Sequence, residues 1–320
     1  MATTISTDLQ LDQAAWDLAV YYALREEFYY DQIADVKSTN TSHNGSSVSF
    51  TIMSELTAQT VALNESTDIT PQTVTDAAVV VTLQEYGGGV KTTARVRGTS
   101  FVPVDPIVAE LVGFNAGDSL DTIAKIELQA GDNVDYATGG VTTPTARNTV
   151  EPEDVITSDD IRLEYARMRA AKVVKVGAFY VAFIHPDVAY DLRRETGAAA
   201  WRDPHVYSQP GEIWLGEIGE YEGFRFMVTP RAPKFVDAGS STTETDVYAT
   251  LFMGRQSLAK GWSKTDGNGP MPKMVPGPVT DALRRFVPIG WHWFGGYKRF
   301  REAAIRRIDS SSSIGINLDT

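Results

Sequence analysis

Ala178-Phe179-Tyr180-Val181-Ala182-Phe183-Ile184, followed at once by His185-Pro186-Asp187, is the stretch that decides how this chain folds. Seven consecutive apolar residues between a glycine and a proline read as a short buried strand. Pro186 suits the first turn of a helix, and Asp187 sits where the helix dipole favours an acid. Val188, Ala189 and Leu192 continue that helix on one apolar face. An irregular loop with Trp201 and Trp214 follows. Gly216-Glu217-Ile218-Gly219-Glu220-Tyr221-Glu222-Gly223 then supplies turn glycines ahead of a second strand, Phe224-Arg225-Phe226-Met227-Val228. Residues 177–232 therefore read as strand, helix, loop, hairpin and strand, a rigid α+β module.

The order and spacing of particular residues in this module resemble the axial domain of tailed-phage major capsid proteins, in particular the N4-type family. They are Ile184-His185-Pro186, Asp191-Leu192, Gly216-Glu217-Ile218-Gly219 through Gly223, and Thr229-Pro230-Arg231-Ala232. The resemblance spans about Val48 to Ser311. It implies an α+β Hong Kong 97-like fold with an axial domain, a peripheral domain carrying a long spine helix, an extended β-hairpin loop and an N-terminal arm. On this chain those parts fall at 157–279 (axial), 99–156 (peripheral, with the spine helix), 46–98 (extended loop) and 1–45 (arm), with 280–320 returning to the peripheral domain. It further implies pentamers and hexamers in an icosahedral virion shell around double-stranded DNA, assembled in the host bacterial cytoplasm. Scaffolding, portal and decoration proteins are the partners such a shell implies. An encapsulin-like compartment shares the fold, and an oligomeric β-rich hydrolase is the reading from a different class.

Composition sets bounds on these readings. A chain of 320 residues suggests two domains, and 42% hydrophobic residues with six tryptophans are enough for real cores. Its opening residues have neither the basic start nor the apolar core of a signal peptide. The longest apolar runs are far too short to span a bilayer, so no membrane partner is expected. The absence of cysteine removes disulfides, thiolate metal sites and cysteine nucleophiles. Charge is unevenly spread: residues 1–160 carry 7 Lys+Arg against 24 Asp+Glu, a net of −17, and the remainder carries +5. A total of −12 argues against a tight nucleic-acid contact. An acidic half facing the basic half of another copy is one reading, and solvated acidic loops are the other.

Along the rest of the chain, Leu11, Ala14, Leu18 and Leu24 share the apolar face of an arm helix that ends at Phe28-Tyr29-Tyr30. Val48, Phe50 and Ile52 alternate with polar residues at period two, and so do Val79, Val81 and Leu83. These strands read either as ordinary sheet within a sandwich or as a long protruding hairpin, and since a two-stranded ribbon is marginal in water the residues alone favour the sandwich. The resemblance to capsid proteins implies that these six side chains, with Tyr29 and Tyr30, meet a neighbouring subunit. Gly45, Gly87, Gly88, Gly89 and Gly98 are expected to act as hinges around this loop. Val104-Asp105-Pro106 starts one long helix kinked near Gly113–Gly117, or two in tandem, ending at Gly131. Thr157 or Ser158 caps a further helix. Phe286–Phe294 is expected to pair with Ala303–Ile308 around Gly295-Gly296, with Trp291 and Trp293 on one face and His292 on the other.

Chemistry is sparse. Gly87-Gly88-Gly89-Val90-Lys91 lacks phosphate-loop spacing. His185 and Asp187 would be half a metal site, and as a strand-end histidine with a helix-cap acid they need no metal. Asp266-Gly267-Asn268-Gly269 lacks the length of a calcium loop. Catalytic, cofactor-binding and metal-ligating residues are expected to be absent.

Overall fold

The computed structural model describes residues 30–39, 45–63, 65–66, 68–99, 104–195, 217–240, 244–264, 269–278, 281–283 and 285–314. The arm helix with Tyr29, the loop with Trp201 and Trp214, Gly216, the Asp266–Asn268 turn, His43 and His205 lie outside them.

In chain order the strands are β1 (Asp35–Ser38), β2 (Ser47–Met53), β3 (Asp76–Thr82), β4 (Gln84–Thr93), β5 (Val134–Tyr136), β6 (Tyr180–Ile184) and β7 (Glu217–Tyr221). They continue with β8 (Phe224–Val228), β9 (Lys234–Phe235), β10 (Val247–Met253), β11 (Leu258–Trp262), β12 (Lys273–Pro276), β13 (Phe286–Arg299) and β14 (Ile305–Ser310). The helices are α1 (Ala94–Thr99), α2 (Val104–Gln129), α3 (Ser158–Ala170) and α4 (Pro186–Arg194).

Seven strands form the larger sheet, in the order β5-β14-β10-β6-β8-β7 with β9 on β10. Its centre is the stretch that opened the sequence reading: every residue of β6 is buried. Parallel β8 lies on one side of β6 and antiparallel β10 on the other. His185 caps α4, its ring nitrogen accepting from Asp187 N at 3.3 Å, and Pro186 takes the first turn. Thr157 caps α3 through a reciprocal box with Asp160. The β7–β8 turn places Glu222 and Gly223 at φ 47° and 83°. A side chain at Gly223 would lie 2.5 Å from the Tyr165 ring, so glycine is required there twice over.

The smaller sheet has five strands. β1 runs parallel to β11, β11 and β12 both pair with β13, and β4 pairs with the opposite side of β13. Between the two sheets packs α2, a single continuous helix of 26 residues, about 39 Å long. Its buried face, Val108, Val112, Ala116, Leu120, Ala124 and Leu128, meets Ile289, Trp291 and Trp293 of the smaller sheet. The same core takes in Val181, Phe183, Leu251 and Met253 of the larger sheet. The opposite face of the larger sheet makes a second core with α3 and α4.

The structure redraws several sequence expectations. The glycines at 113 and 117 do not divide α2 into two tandem helices: its 26 residues are continuous, and both halves of its apolar face join the same core. Gly295-Gly296 does not turn the chain: β13 runs straight through it, and β14 joins the larger sheet beside β10. β11 and β12, before residue 279, belong to the smaller sheet, and β14, after it, to the larger. Gly87–Gly89 is not a hinge either but the middle of β4, hydrogen-bonded along β13. A Cβ at Gly87 would lie 2.9 Å from Trp291 O and one at Gly89 3.1 Å from Ile289 O, so a close strand approach explains these glycines.

Candidate assembly surfaces

Among the described residues no group of three or more His, Cys, Asp or Glu is placed to hold a metal ion. A cleft of about 180 Å³ lies against β5 and α3, lined by Asp135, Asp160, Glu164 and Arg167 among others. There Arg306 and Arg167 each bridge Asp135 and Glu164. Burial, then a hydrogen bond shared with Asp135, pushes the Glu164 carboxyl up to about 7 against the pull of Arg306. Two acids neutralised by two arginines fasten β5 and β14 to α3. The arrangement is a structural clamp.

The hairpin of β2 and β3 carries the six apolar positions singled out in the sequence. Its seven-residue strands pair antiparallel from Ser47↔Thr82 to Met53↔Asp76. Val48, Phe50, Val81 and Leu83 are buried, with Ile52 and Val79 half-buried beside them. Their cover is intramolecular: Ala259 of β11, Phe294 of β13 and Phe300, whose ring sits 5.3 Å from that of Phe50. Gly261 is the socket, since a Cβ there would lie 3.2 Å from both Leu83 Cδ2 and Val81 Cγ1. These six side chains were expected to require a neighbour, and the chain's own smaller sheet covers them instead. Ion pairing of Lys172 with Glu55 (2.8 Å) and a Lys37 hydrogen bond to Ser49 O also hold the base of the hairpin down.

Beyond that base the chain leaves its own body. Every described residue from 54 to 75 is exposed, including Leu56, Val61, Leu63, Ile69 and Val74. Among the described residues of 54–75 these five large apolar side chains stay uncovered.

Tyr30 also differs from expectation. It is fully buried, its ring 4.7 Å from Phe183, with its N–H donating to Asp121 of α2. Next to it, Asp31 accepts from Lys260 Nζ (2.9 Å) and Tyr297 OH (2.9 Å). The end of the arm is thus bolted into its own subunit. Of the proposed hinges outside β4, Gly45 precedes β2, where a Cβ would lie 3.7 Å from Ser47 O, and Gly98 lies in α1 with open space around the missing side chain.

The residues behind the family resemblance act as fasteners. Asp191 of α4 accepts from Ser312 Oγ (2.8 Å), Ser313 N (2.8 Å) and Ser313 Oγ, fixing the far end of the chain. Arg231 reaches Asp118 and Asp121 of α2, tying the larger sheet to the helix. Tyr248 OH donates to Asp187, and its ring lies 4.8 Å from that of His185. Burial and the nearby Lys234 lower the His185 pKa against Asp187. Apart from the His185–Asp187 pair these partners are far apart in the chain, so the motif's spacing was legible in the sequence and the partners were not.

A layered pair of sheets around one long helix, with a projecting hairpin, agrees with a family model described as phage capsid protein, which matches residues 29–316. The chain belongs to that phage capsid family. No curated protein matches it in sequence. Among solved structures, the capsid of Ralstonia phage GP4 is similar at a TM-score of 0.68 and 16% identity, covering 88% of this chain and 87% of that one. The capsid of cyanophage Pam1 is similar at 0.65 and 15%, covering 87% and 89%. That of Helicobacter pylori bacteriophage KHP30 gives 0.63 and 10%, covering 89% of each chain. The fold is Hong Kong 97-like. As a major capsid protein it is a structural, non-enzymatic component of the virion, and copies of the chain form the shell.

Proposed function

We propose that this capsid protein is of the N4 type and builds pentamers and hexamers that close an icosahedral head around double-stranded DNA. The larger sheet with α3 and α4 is assigned as the axial domain, and α2 with the smaller sheet as the peripheral domain. The observation that supports this most is the hairpin: a base locked to its own subunit and an exposed apolar tip at 54–75. Each tip contact is small, and a closed shell makes many at once, so weak contacts suffice. The acidic first half supports contacts with basic surfaces of neighbouring copies that weaken as salt rises. DNA is enclosed without sequence-specific binding. Scaffolding, portal and decoration proteins are proposed partners, and assembly is placed in the host bacterial cytoplasm.

Negative-stain microscopy with sedimentation of the purified protein tests the reading across a salt series. Closed shells or ring-shaped capsomers are expected, with assembly weakening at high salt. A small oligomer that never forms rings under any condition, phage lysate included, refutes it.

A further inference from the structure

One face of α2 carries apolar side chains that the described residues leave exposed. Ile107, Leu111 and Phe114 stand on successive turns, and Leu111 is 61% exposed. At 3.6 residues per turn, positions 107, 111, 114, 118 and 121 fall on one stripe, within an arc of about 80°. The far end of that stripe is engaged. Arg231 pairs with Asp118 and Asp121, and Tyr30 N donates to Asp121 Oδ1 at 3.1 Å. The chain therefore enters the described structure on the same face of α2 that bears the three apolar side chains. From Asp121, Phe114 lies about 10 Å back along the helix axis and Ile107 about 21 Å.

We propose that residues 11–28 dock as a helix on this stripe in their own subunit, side by side with α2 and running in the same direction. Two observations name this occupant. The first is spacing: Leu11, Ala15, Leu18 and Tyr22 recur at i, i+4, i+7 and i+11, the spacing of positions 107, 111, 114 and 118. The second is where the chain emerges, because Tyr30 beside Asp121 sets an offset of 91 positions. Counted back at equal rise, Leu18 falls level with position 109, between Ile107 and Leu111. Tyr22 falls level with 113, between Leu111 and Phe114. Side chains of one helix set between those of the other are what close helix packing requires. A helix of this length is marginal alone in water, and the stripe offers the apolar face it needs. Tethered through buried Tyr30, the segment meets the stripe at an effective concentration on the order of mM, which favours it over a second copy. Docked in this way it covers an apolar face that would otherwise draw free subunits together.

Because the chain has no cysteine, Leu18→Cys with Leu111→Cys in one full-length chain reads the pairing directly. On oxidation of dispersed subunits this pair is expected to close within the monomer, about tenfold faster than Leu18→Cys with Leu163→Cys on the exposed side of α3. Leu111→Glu puts a charge into the contact at a position exposed enough to leave the body folded. It is expected to speed proteolysis within residues 1–29 about tenfold, with the Tm of the body unchanged. Leu18→Asp should act in the same way from the other side of the contact, and Leu163→Glu should leave the rate as in the wild type. Equal closure onto positions 111 and 163, or a wild-type segment cut as fast as that of Leu111→Glu and Leu18→Asp, overturns the docking. Disulfides between positions 18 and 111 that form only between chains overturn the placement within one subunit and assign the stripe to a neighbouring copy. Both readouts use dispersed subunits, so a failure of this inference and a failure of the shell reading are told apart.

Discussion

Replacing Asp31 with Asn attacks the bolt between the arm and the smaller sheet. Lys260 is 1% exposed, and its ammonium lies between the rings of Trp293 and Tyr297, each 5.6 Å away. Asp31 is its carboxylate partner, at 2.8 Å. Burial lowers the Lys260 pKa, and Asp31 holds it up. Removing that charge leaves a buried cation without its counter-ion, which costs about 3–5 kcal/mol. For a chain of this size that is a fall of roughly 6 °C in Tm. The sign with pH follows from the depressed base. Folded Asp31→Asn would bind fewer protons than its unfolded chain at alkaline pH, so its stability should rise as pH climbs toward the normal lysine pKa. The stability of dispersed subunits in urea, measured from pH 7 to 10, gives both quantities. Lys260→Met combined with Asp31→Leu should recover most of the loss, because a buried pair exchanged for apolar groups is often nearly neutral. A loss below about 1 kcal/mol for Asp31→Asn, with no pH slope, would refute the bolt.

Three further outcomes follow from the same geometry. Phe50→Ala empties the hairpin socket opposite Phe300 and should cost about 3 kcal/mol, with faster proteolysis within 46–83 as the readout. Asp191→Ala strips three hydrogen bonds from Ser312 and Ser313. Proteolysis near residue 313 should speed up several-fold in the dispersed subunit, with global Tm lowered by only a few degrees. Glu164 has a raised pKa, so its contribution to stability is complete below the ordinary glutamate range and is lost as pH rises through about 7. Glu164→Gln should therefore flatten the fall in stability between pH 5 and 8, by at most ~3 kcal/mol, and an unchanged urea profile would count against the clamp.

What the sequence by itself determined is whatever is set by local periodicity and spacing. The β6 run is apolar on both faces because it lies between two cores, and His185-Pro186-Asp187 signals a helix start through cap and proline chemistry that acts within three residues. Val48, Phe50 and Ile52, with Val79, Val81 and Leu83, announce two one-faced strands for the same reason, but periodicity alone favoured sandwich sheet, and the hairpin followed only from the family resemblance. Family membership followed from the spacing of fastening residues, though their partners were hidden. The tertiary structure decided where each face turns. Whether the hairpin meets its own body or a neighbour depends on Gly261, nearly two hundred residues away, leaving room for Val81 and Leu83. Gly87–Gly89 has the composition of a hinge, and pairing with β13 makes it a strand edge. The return of β14 to the larger sheet rests on pairing with β10 and on Arg306 meeting Asp135 and Glu164. Such contacts join residues distant in the chain, and no local pattern encodes which of them will meet.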